Sequence, residues 1–429
     1  MHQIEPSIYS IEQTTNLDLM NLIIEQSHNV NSTVEQLELF SEIVTETRVD
    51  LLNRFCILLG ESYPGIKFQL TISNKIEAVI NEYNSNLPNF PELVESLKFE
   101  QSNVEIIDRI PKSIKTLKVI QCENLKEIIF TSNNSNLETL ELEKNYALSK
   151  ISNCPNQLEN LKVISCVDLT YIKNNSNQLK HIETDNFEQI ENIPVTIESL
   201  AIKTKSNKFQ LPEKLKYFKN LKKIDIQGKH YINLDLSNLP KSIECLSYQN
   251  FNCNFDQILT LTHLKQLIIK CDDQLTSIDR IPENLEILSI SDCIYLQSIT
   301  AQNNKLQKLK LNKLLRLKIC NLIDYDSNIL ELYIKYCERI ETINQFPSHL
   351  KILEFHGPYM YDIPKLPESI TRFSISRLSK LLTIDQSLPN LRKLIVSQCE
   401  NITKINIQNH LIEDHFITGC PNLTQSNII

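Results

Sequence analysis

Residues 285–299 read LEILSISDCIYLQSI, and the spacing of the apolar residues in this stretch decides the fold. Counted from Leu285 as position 0, apolar residues stand at positions 0, 3, 5, 8, 11 and 14. A helix repeats every 3.6 residues and a strand every 2, and this spacing sustains neither. Units of this length cannot bury an apolar face alone, so the pattern predicts a solenoid of stacked turns. The same spacing recurs in residues 114–128, 158–172, 329–343 and 391–405.

Sixteen copies of the pattern occur from Val94 onward, most of them 20 to 23 residues apart. The exceptions are neighbouring steps of 18 and 24 residues on either side of Ile197, where LPEKLKYF (211–218) is inserted, and we expect the register to slip there. The pattern predicts that each repeat forms a short strand at positions 2 to 6 and a turn at position 8. The remaining residues, here called the return arm, lead back to the next strand. Proline stands three residues before position 0 in eight copies, which favours an extended or 3-10 return arm over an α-helix.

Charge is distributed unevenly along the chain, whose formal net charge is -8. Residues 1–92 hold 13 Asp/Glu and 4 Lys/Arg, whereas the remainder holds 39 and 40. Near-neutral repeats lack the basic stripe that nucleic-acid binding needs, so no nucleic-acid partner is expected. No apolar stretch approaches ~18 residues, so no membrane span is expected. The start, MHQIEPSIYS, shows no secretory signal.

Six of the twelve cysteines stand at position 8 of a repeat, and stacking of the turns would bring them into a ladder. There a small thiol packs and its S–H serves as a weak donor to backbone. We interpret them as reduced structural thiols, which predicts a reducing, cytoplasmic location. No CxxC pair and no histidine pair at metal-ligand spacing occur, so neither a metal nor a cofactor is expected, and a small-molecule ligand is not favoured. The six are Cys122, Cys166, Cys293, Cys337, Cys399 and Cys420.

Residues 1–92 lack the repeat and predict a small, acidic, all-helical region. A capping box at 32–35 precedes an apolar stripe with helical spacing that ends near Gly60, and further helices are predicted around 17–24 and 75–83. The region is either a cap over the open end of the repeat core or a separate docking module. The predicted domains are therefore residues 1–92 and the repeat solenoid of residues 93–429.

Three stretches, IPKSIKTLKVIQC (110–122), IPENLEILSISDC (281–293) and SLPNLRKLIVSQC (387–399), carry a family resemblance. They resemble the leucine-rich repeat in the short LPxxLxxLxV form of bacterial effector proteins, although position 8 carries cysteine in six copies and asparagine only at Asn145. Residues 239–258, LPKSIECLSYQNFNCNFDQI, also resemble FNIP repeats of slime moulds and giant viruses. The resemblance implies an α/β solenoid, a horseshoe with a parallel concave sheet, that binds proteins without catalysis. It further suggests an effector that is translocated into host cytoplasm and binds a host protein.

Side chains at positions 2, 4 and 6 are predicted to point away from the core, and equal positions in successive repeats should lie ~4.8 Å apart. In the N-terminal repeats position 4 reads Lys118, Glu141, Lys162 and Glu183. The signs alternate, with Glu143 and Asp185 adding acidity at position 6. This pattern is typical of solvated cross-strand pairs that neutralise one another, rather than of a ligand site.

In the C-terminal repeats position 4 becomes basic, aromatic and aliphatic. Exposed aromatic residues favour contact with a partner, although single exposed apolar residues are also ordinary on protein surfaces. Such a surface suits an acidic protein segment, or this protein's own acidic N-terminal region. The predicted partner-binding residues on the concave face are Lys308, Lys310, Tyr333, Lys335, His356, Ile268, Ile395 and Phe416.

Three functional hypotheses follow. The first is a non-enzymatic protein-binding module that uses the concave face. The second is an adaptor whose N-terminal helical region recruits a second protein, such as ubiquitin machinery, to the bound target. The third is an enzyme in which Cys56 and His28 act as nucleophile and base, although a buried cysteine is more often a small hydrophobe.

Overall fold

The computed structural model describes residues 48–82, 87, 88, 90–131, 136–173, 176–303, 305–324, 326–340, 343, 345–357, 362–409 and 411–428. The chain divides into two compact units, Met1–Pro194 and Val195–Ile429. The capping box, the helix predicted around 17–24 and His28 lie outside the described residues.

The first unit contains one helix, α1 (Arg48–Ser62), a 3-10 helix (Phe187–Gln189) and twelve strands among its described residues. The strands are β1 (Lys67–Leu70), β2 (Ile76–Ile80), β3 (Val94–Glu100), β4 (Ile106–Ile107), β5 (Thr116–Ile120), β6 (Glu127–Ile129), β7 (Thr139–Glu143), β8 (Lys150–Ser152), β9 (Asn160–Ile164), β10 (Ile172–Lys173), β11 (His181–Thr184) and β12 (Ile190–Glu191).

Strands β2, β3, β5, β7, β9 and β11 pair in parallel, each with the next, to form the main sheet of this unit. Strand β1 pairs antiparallel with β2, and α1 contacts β1, so both cover the first edge of the sheet. The helix predicted around 75–83 is wrong, because residues 76–80 form strand β2, which is buried along its whole length between β1 and β3. Helix α1 also continues past Gly60, the predicted end.

The second unit contains a short helix, α2 (Phe255–Leu259), a 3-10 helix (Glu213–Tyr217) and seventeen strands in its described part. The strands are β13 (Ser199–Thr204), β14 (Lys223–Leu234), β15 (Cys245–Cys253), β16 (Gln266–Lys270), β17 (Ser277–Ile278), β18 (Ile287–Ser291), β19 (Ser298–Ile299), β20 (Lys308–Asn312), β21 (Ile319–Cys320), β22 (Glu331–Lys335), β23 (Ile352–His356), β24 (Arg372–Ser376), β25 (Thr383–Ser387), β26 (Lys393–Ser397), β27 (Lys404–Gln408), β28 (Asp414–Thr418) and β29 (Gln425–Ile428).

The main sheet of the second unit is parallel throughout, from β13, β14, β15, β16 and β18 through β20, β22, β23, β24, β26 and β28. The return arms form short parallel strands, and α2 is a helical exception to the predicted extended arm. The inserted residues 211–218 contain the 3-10 helix, and β14 carries a register shift between Gln227 and Ile232. The irregular zone therefore lies at the predicted slip and just after it.

The core is built from the repeated apolar positions, as predicted. Leu285, Leu288 and Ile290 are fully buried, as are their equivalents in most turns. The prolines begin the tight turn that leads into each strand, because the N–H at position 0 donates to the proline carbonyl three residues earlier. The distance is 3.1 Å from Leu285 N to Pro282 O. Fixed φ at proline suits this turn.

The position-8 cysteines occupy equivalent places in their turns, as predicted, and make hydrogen bonds in both directions. In all six, Sγ lies 3.4 to 3.7 Å from the carbonyl oxygen two residues earlier. In five of the six, the backbone N–H of the position-8 residue in the preceding turn donates to Sγ; the N–H of Asn145, for example, donates to Cys166. The side-chain amide of Asn145 also makes hydrogen bonds in both directions. It accepts from Cys122 N (3.0 Å) and donates to Val119 O (2.7 Å).

The residue before position 8 adopts a left-handed backbone conformation in most turns, a feature that the apolar spacing does not reveal. In ten of these turns its N–H donates to the carbonyl at the end of the next strand of the main sheet, for example from Asp292 to Asn312 at 3.0 Å; Ser165 N instead donates to the side chain of Asp185. A left-handed non-glycine residue costs about 1 kcal/mol, and this hydrogen bond between turns offsets the cost. The residues are Gln101, Gln121, Lys144, Ser165, Asn250, Cys271, Asp292, Lys313, Tyr336, Gly357, Arg377, Gln398 and Gly419.

Substituting Cys293 by Arg should lower the free energy of unfolding by about 4 kcal/mol or more, because the fully buried site holds no partner for a charge. The matched control is Ile294→Arg, which adds the same charge at the next residue, where the side chain is 38% exposed. We expect the control to change stability by less than about 1 kcal/mol. Urea denaturation measures both, and equal losses would contradict the assignment of the ladder.

Candidate protein-binding surface

The outward face of the second unit's sheet carries the predicted binding residues, and the strand pairing confirms the alignment of position 4. Tyr333 lies beside Lys310 on one side and Glu354 on the other. From β16 to β28 the row is Ile268, Ser289, Lys310, Tyr333, Glu354, Ser374, Ile395 and Phe416.

Tyr333 is the centre of a basic-aromatic cluster. The Nζ atoms of Lys308 and Lys310 lie 5.4 and 5.2 Å from its ring centroid, within the range of a cation–π interaction. Its hydroxyl donates to Glu331 at 3.0 Å. Burial, together with donation to Glu331, raises the pKa of Tyr333 to about 12. The side chain is half-buried, so the expectation that it faces solvent freely is only partly met.

Lys310 differs from its cationic neighbours because its charge is not paired. Lys308 binds Glu331 at 2.5 Å, and Lys335 binds Glu354 at 3.0 Å. Lys310 is exposed, and no carboxylate oxygen of the described residues lies within 4.0 Å of its Nζ. A charge that is exposed and unpaired can attract a partner at little desolvation cost.

His356 contributes shape rather than charge to this surface. Its ring contacts that of Tyr336, with the centroids 4.4 Å apart, and Nδ1 is hydrogen-bonded to the hydroxyl of Ser376. Burial lowers the pKa of His356, and the nearby cations Arg377 and Lys335 lower it further, so the imidazole is neutral at pH 7. Its Nε2 is buried and has no hydrogen-bond partner in the described part of the chain.

The outward face of this unit also carries three apolar side chains, and its charged side chains have a positive net charge. Ile268 and Ile395 are half-buried, and Phe416 is 54% exposed with Lys393 Nζ 5.5 Å from its ring centroid. Eight cationic side chains occupy the face against four carboxylates, an excess that favours an acidic partner. The cations are Lys203, Lys223, Lys270, Lys308, Lys310, Lys335, Arg372 and Lys393, and the carboxylates are Asp225, Glu331, Glu354 and Asp414.

The outward face of the first unit is largely neutralised, as predicted. The row Lys118, Glu141, Lys162 and Glu183 is aligned by strand pairing. Lys162 pairs with Glu143 and lies 3.8 Å from Glu183. Lys118 instead binds the buried Glu77 at 2.9 Å.

Glu77 on β2 is a buried carboxylate that sequence reasoning missed. Burial raises its pKa, but hydrogen bonds from Lys118, Gln69 and Ser96 outweigh the burial and hold the pKa below its usual value. The residue therefore stays ionised and joins three strands, a structural role. The apparent helix at 75–83 concealed it, because a helical reading does not place Glu77 beside Ser96.

Of the two residues considered for catalysis, Cys56 is buried and His28 lies outside the described residues. Burial raises the pKa of Cys56 to about 11, whereas the reactive species of a cysteine is the thiolate. No group of three or more His, Cys, Asp or Glu among the described residues is arranged to hold a metal ion. None of the described helices is both long and apolar enough to cross a membrane.

A second buried carboxylate, Asp272, replaces cysteine at position 8. It accepts a hydrogen bond from the hydroxyl of the fully buried Tyr248 (3.1 Å) and others from the backbone N–H groups of Cys253, Gln274 and Leu275. Burial raises the pKa of Asp272, and these hydrogen bonds limit the rise. The irregular β14–β15 zone thus uses a polar network where other turns use a thiol.

Comparison with known proteins gives distant similarities. No family model matches the chain. Disease resistance protein RRS1 of Arabidopsis thaliana is 25% identical over 211 residues, which cover 45% of this chain and 15% of RRS1. The circular LRR protein CroV588 is 18% identical with a TM-score of 0.45, covering 81% of this chain and 61% of CroV588. YopM from Yersinia enterocolitica is 15% identical with a TM-score of 0.39, covering 96% and 100%. The match thus spans about a seventh of RRS1.

The chain's own turns define its class. Each regular turn places a strand at positions 2 to 6, a left-handed residue before position 8 and a short return arm, stacked in parallel on the next turn. This is the architecture of a leucine-rich repeat, in a form that uses cysteine at the ladder position. The fold is therefore a leucine-rich-repeat solenoid of about sixteen turns.

Replacing Tyr248 by Phe should lower the free energy of unfolding by about 1 kcal/mol at pH 7 and by less near pH 4. The raised pKa of Asp272 means that its stabilising contribution is present at low pH and is lost as the pH rises through the folded-state pKa. Removing the Tyr248 hydroxyl raises the pKa of Asp272 further, so the variant loses more of its free energy of unfolding as the pH rises. Urea denaturation of both proteins at the two pH values measures the difference, and a pH-independent difference would contradict the network.

Proposed function

We propose that this protein is a non-enzymatic protein-binding module and that it binds its partner on the outward face of the second unit. The observation that carries the proposal is Lys310, an exposed and unpaired cation beside the half-buried ring of Tyr333. Leucine-rich repeats present such faces for proteins, because many side chains stand on a rigid sheet.

The partner segment is acidic and extended, with at least one apolar side chain. The excess of cations over carboxylates attracts negative charge, and a carboxylate of the partner would pair with Lys310 without breaking an existing ion pair. The ring of Tyr333 and the side chains of Ile395 and Phe416 offer apolar contact along the same row. Lys335 and His356 lie next to this row, and Ile268 lies at its other end.

A displayed library of random 12-residue peptides tests this partner chemistry. We expect the full chain to enrich peptides that contain Asp or Glu together with an aromatic or aliphatic residue. Substitution of Lys310 by Glu should lower the affinity for the enriched peptides by about tenfold or more, equal to about 1.4 kcal/mol. The unfolding midpoint should stay unchanged. Tyr333→Phe, which keeps the ring but loses the bond to Glu331, should retain most binding.

The matched control is Lys318→Glu, which reverses an exposed charge on a return arm of the same unit. It should leave peptide binding unchanged. Equal affinity of the wild type and Lys310→Glu, or enrichment without acidic residues, would move the binding surface elsewhere.

The adaptor hypothesis concerns the N-terminal region and needs a more limited deletion than the predicted boundary suggests. Removing residues 1–90 would also remove α1, β1 and β2, and with them Glu77 and the cover of the first sheet edge. Removing residues 1–47 leaves these elements intact. We expect that shorter deletion to preserve the unfolding midpoint and peptide binding; a large drop in the midpoint would show that residues 1–47 are part of the cap. Effector activity, a host partner and a cytoplasmic location stay predictions.

A further inference from the structure

A polar pocket of about 370 Å³ lies in the first unit, directly after strands β3 and β5 end. It is formed by positions 7 to 10 of the two turns that begin at Val94 and Ile114, and these positions follow the outward-facing strand residues. Its volume is within the range of ligand pockets, ~300–1,000 Å³. The pocket, here called the amide pocket, is lined by Gln101, Ser102, Asn103, Gln121, Glu123 and Asn124.

The lining of the amide pocket surrounds one negative charge with neutral polar groups. Four of the six side chains are amides, and Gln101 donates to Gln121 at 3.3 Å, so these two lie side by side. Glu123 is the one charged lining residue, and a side-chain amide offers an oxygen acceptor beside its N–H donors.

The carboxylate of Glu123 is exposed and unpaired among the described residues. No cationic nitrogen of that part of the chain lies within 4.0 Å of its oxygens, and the exposed Lys144 on the next turn is also beyond this distance. The charge is therefore available to a ligand at little desolvation cost. Four lysines of the same two turns are already paired with other carboxylates, namely Lys98, Lys115, Lys118 and Lys126.

Ser102 adds a polar group that the protein itself leaves unsatisfied. It stands at position 8, where six later turns hold a cysteine. Its hydroxyl oxygen is buried and has no hydrogen-bond partner in the described part of the chain. Because a buried polar group without a partner costs about 1–3 kcal/mol, its place in the lining of a pocket indicates that a ligand completes it.

Apolar side chains continue from the amide pocket onto the next two turns. Position 9 is Glu123 in the turn that lines the pocket, and it becomes Tyr146 and Val167 in the two turns that follow. These side chains are 47% and 67% exposed. Pairing of β5 with β7 and of β7 with β9 sets the three turns side by side. A ligand in the pocket can therefore extend an apolar group over Tyr146.

We propose that the amide pocket binds an arginine side chain of a partner protein, with an apolar neighbour of that arginine on Tyr146 and Val167. A guanidinium carries a permanent positive charge and five N–H donors in one plane, which suit a carboxylate set among amide and hydroxyl oxygens. A lysine ammonium has three donors and is more strongly hydrated, so it suits the pocket less well. The proposal goes beyond the acidic partner of the second unit, because it concerns the first unit and a ligand of opposite charge.

Isothermal titration calorimetry of the full chain with the tripeptide Leu-Arg-Leu, blocked at both ends, tests the proposal. Leucine on both sides makes the result independent of the direction in which the peptide lies. We expect binding in the millimolar range or tighter. The peptide with citrulline, which has the shape of arginine without its charge, should bind about tenfold more weakly, and the peptide with lysine should be intermediate.

Two substitutions locate the binding in the amide pocket. Glu123→Gln removes only the charge, so it should lower the affinity for the arginine peptide by about tenfold and leave the citrulline peptide unaffected. Ser102→Ala should lower the affinity by about threefold and raise the unfolding midpoint, because it removes a buried hydroxyl that has no partner in the free protein.

The matched control is Glu338→Gln, which removes an exposed carboxylate at the same position of a turn in the second unit. This variant and Lys310→Glu should bind the arginine peptide as the wild type does, which separates the amide pocket from the outward face. Circular dichroism melts check that each variant is folded. The proposal is overturned by equal affinity for the arginine and citrulline peptides, by wild-type binding of Glu123→Gln, or by no binding of the arginine peptide at millimolar concentration.

Discussion

The structure depends on hydrogen bonds that link each turn to the next at position 8. The left-handed residue before it donates to the next strand, and the cysteine beside it both donates to and accepts from backbone. A buried backbone group without a partner costs about 1–3 kcal/mol, so each of these bonds stabilises the stacking of its turn. Burial raises the pKa of Cys293 to about 12, which keeps the thiol protonated and able to donate.

Cysteine, asparagine and aspartate are thus three solutions to one constraint. Each fills a small buried site and satisfies backbone groups of two turns. Asn145 does so with a full-strength amide, whereas thiols make weaker hydrogen bonds but cost less to bury. Burial raises the pKa of Asp272, and its carboxyl group accepts hydrogen bonds from Tyr248 and three backbone N–H groups. The aspartate occurs where the turns are irregular, because Asp272 accepts hydrogen bonds from residues of β15, the strand that pairs with the shifted strand β14.

The same stacking creates the candidate binding surface. Equal positions of successive turns lie side by side. Whether a charged side chain is neutralised therefore depends on the residues at the same place in the turns before and after it. Lys308 and Lys335 meet carboxylates on neighbouring strands, and Lys310 meets Tyr333. Recognition in a solenoid therefore depends on pairs of residues about 20 apart in the chain, a separation at which no local motif is visible.

The sequence by itself determined the repeat period, the buried positions, the cysteine ladder and the alignment of position 4, because each follows from counting apolar residues. It did not determine that 76–80 is a strand, since a short apolar run reads equally as a helix until a neighbouring strand pairs with it. Only the tertiary structure decided which charges are neutralised: Glu77 binds Lys118 across the stack, and Lys310 has no carboxylate of the described residues within 4.0 Å. Ion pairing depends on side-chain reach of a few ångströms, which spacing along the chain does not fix.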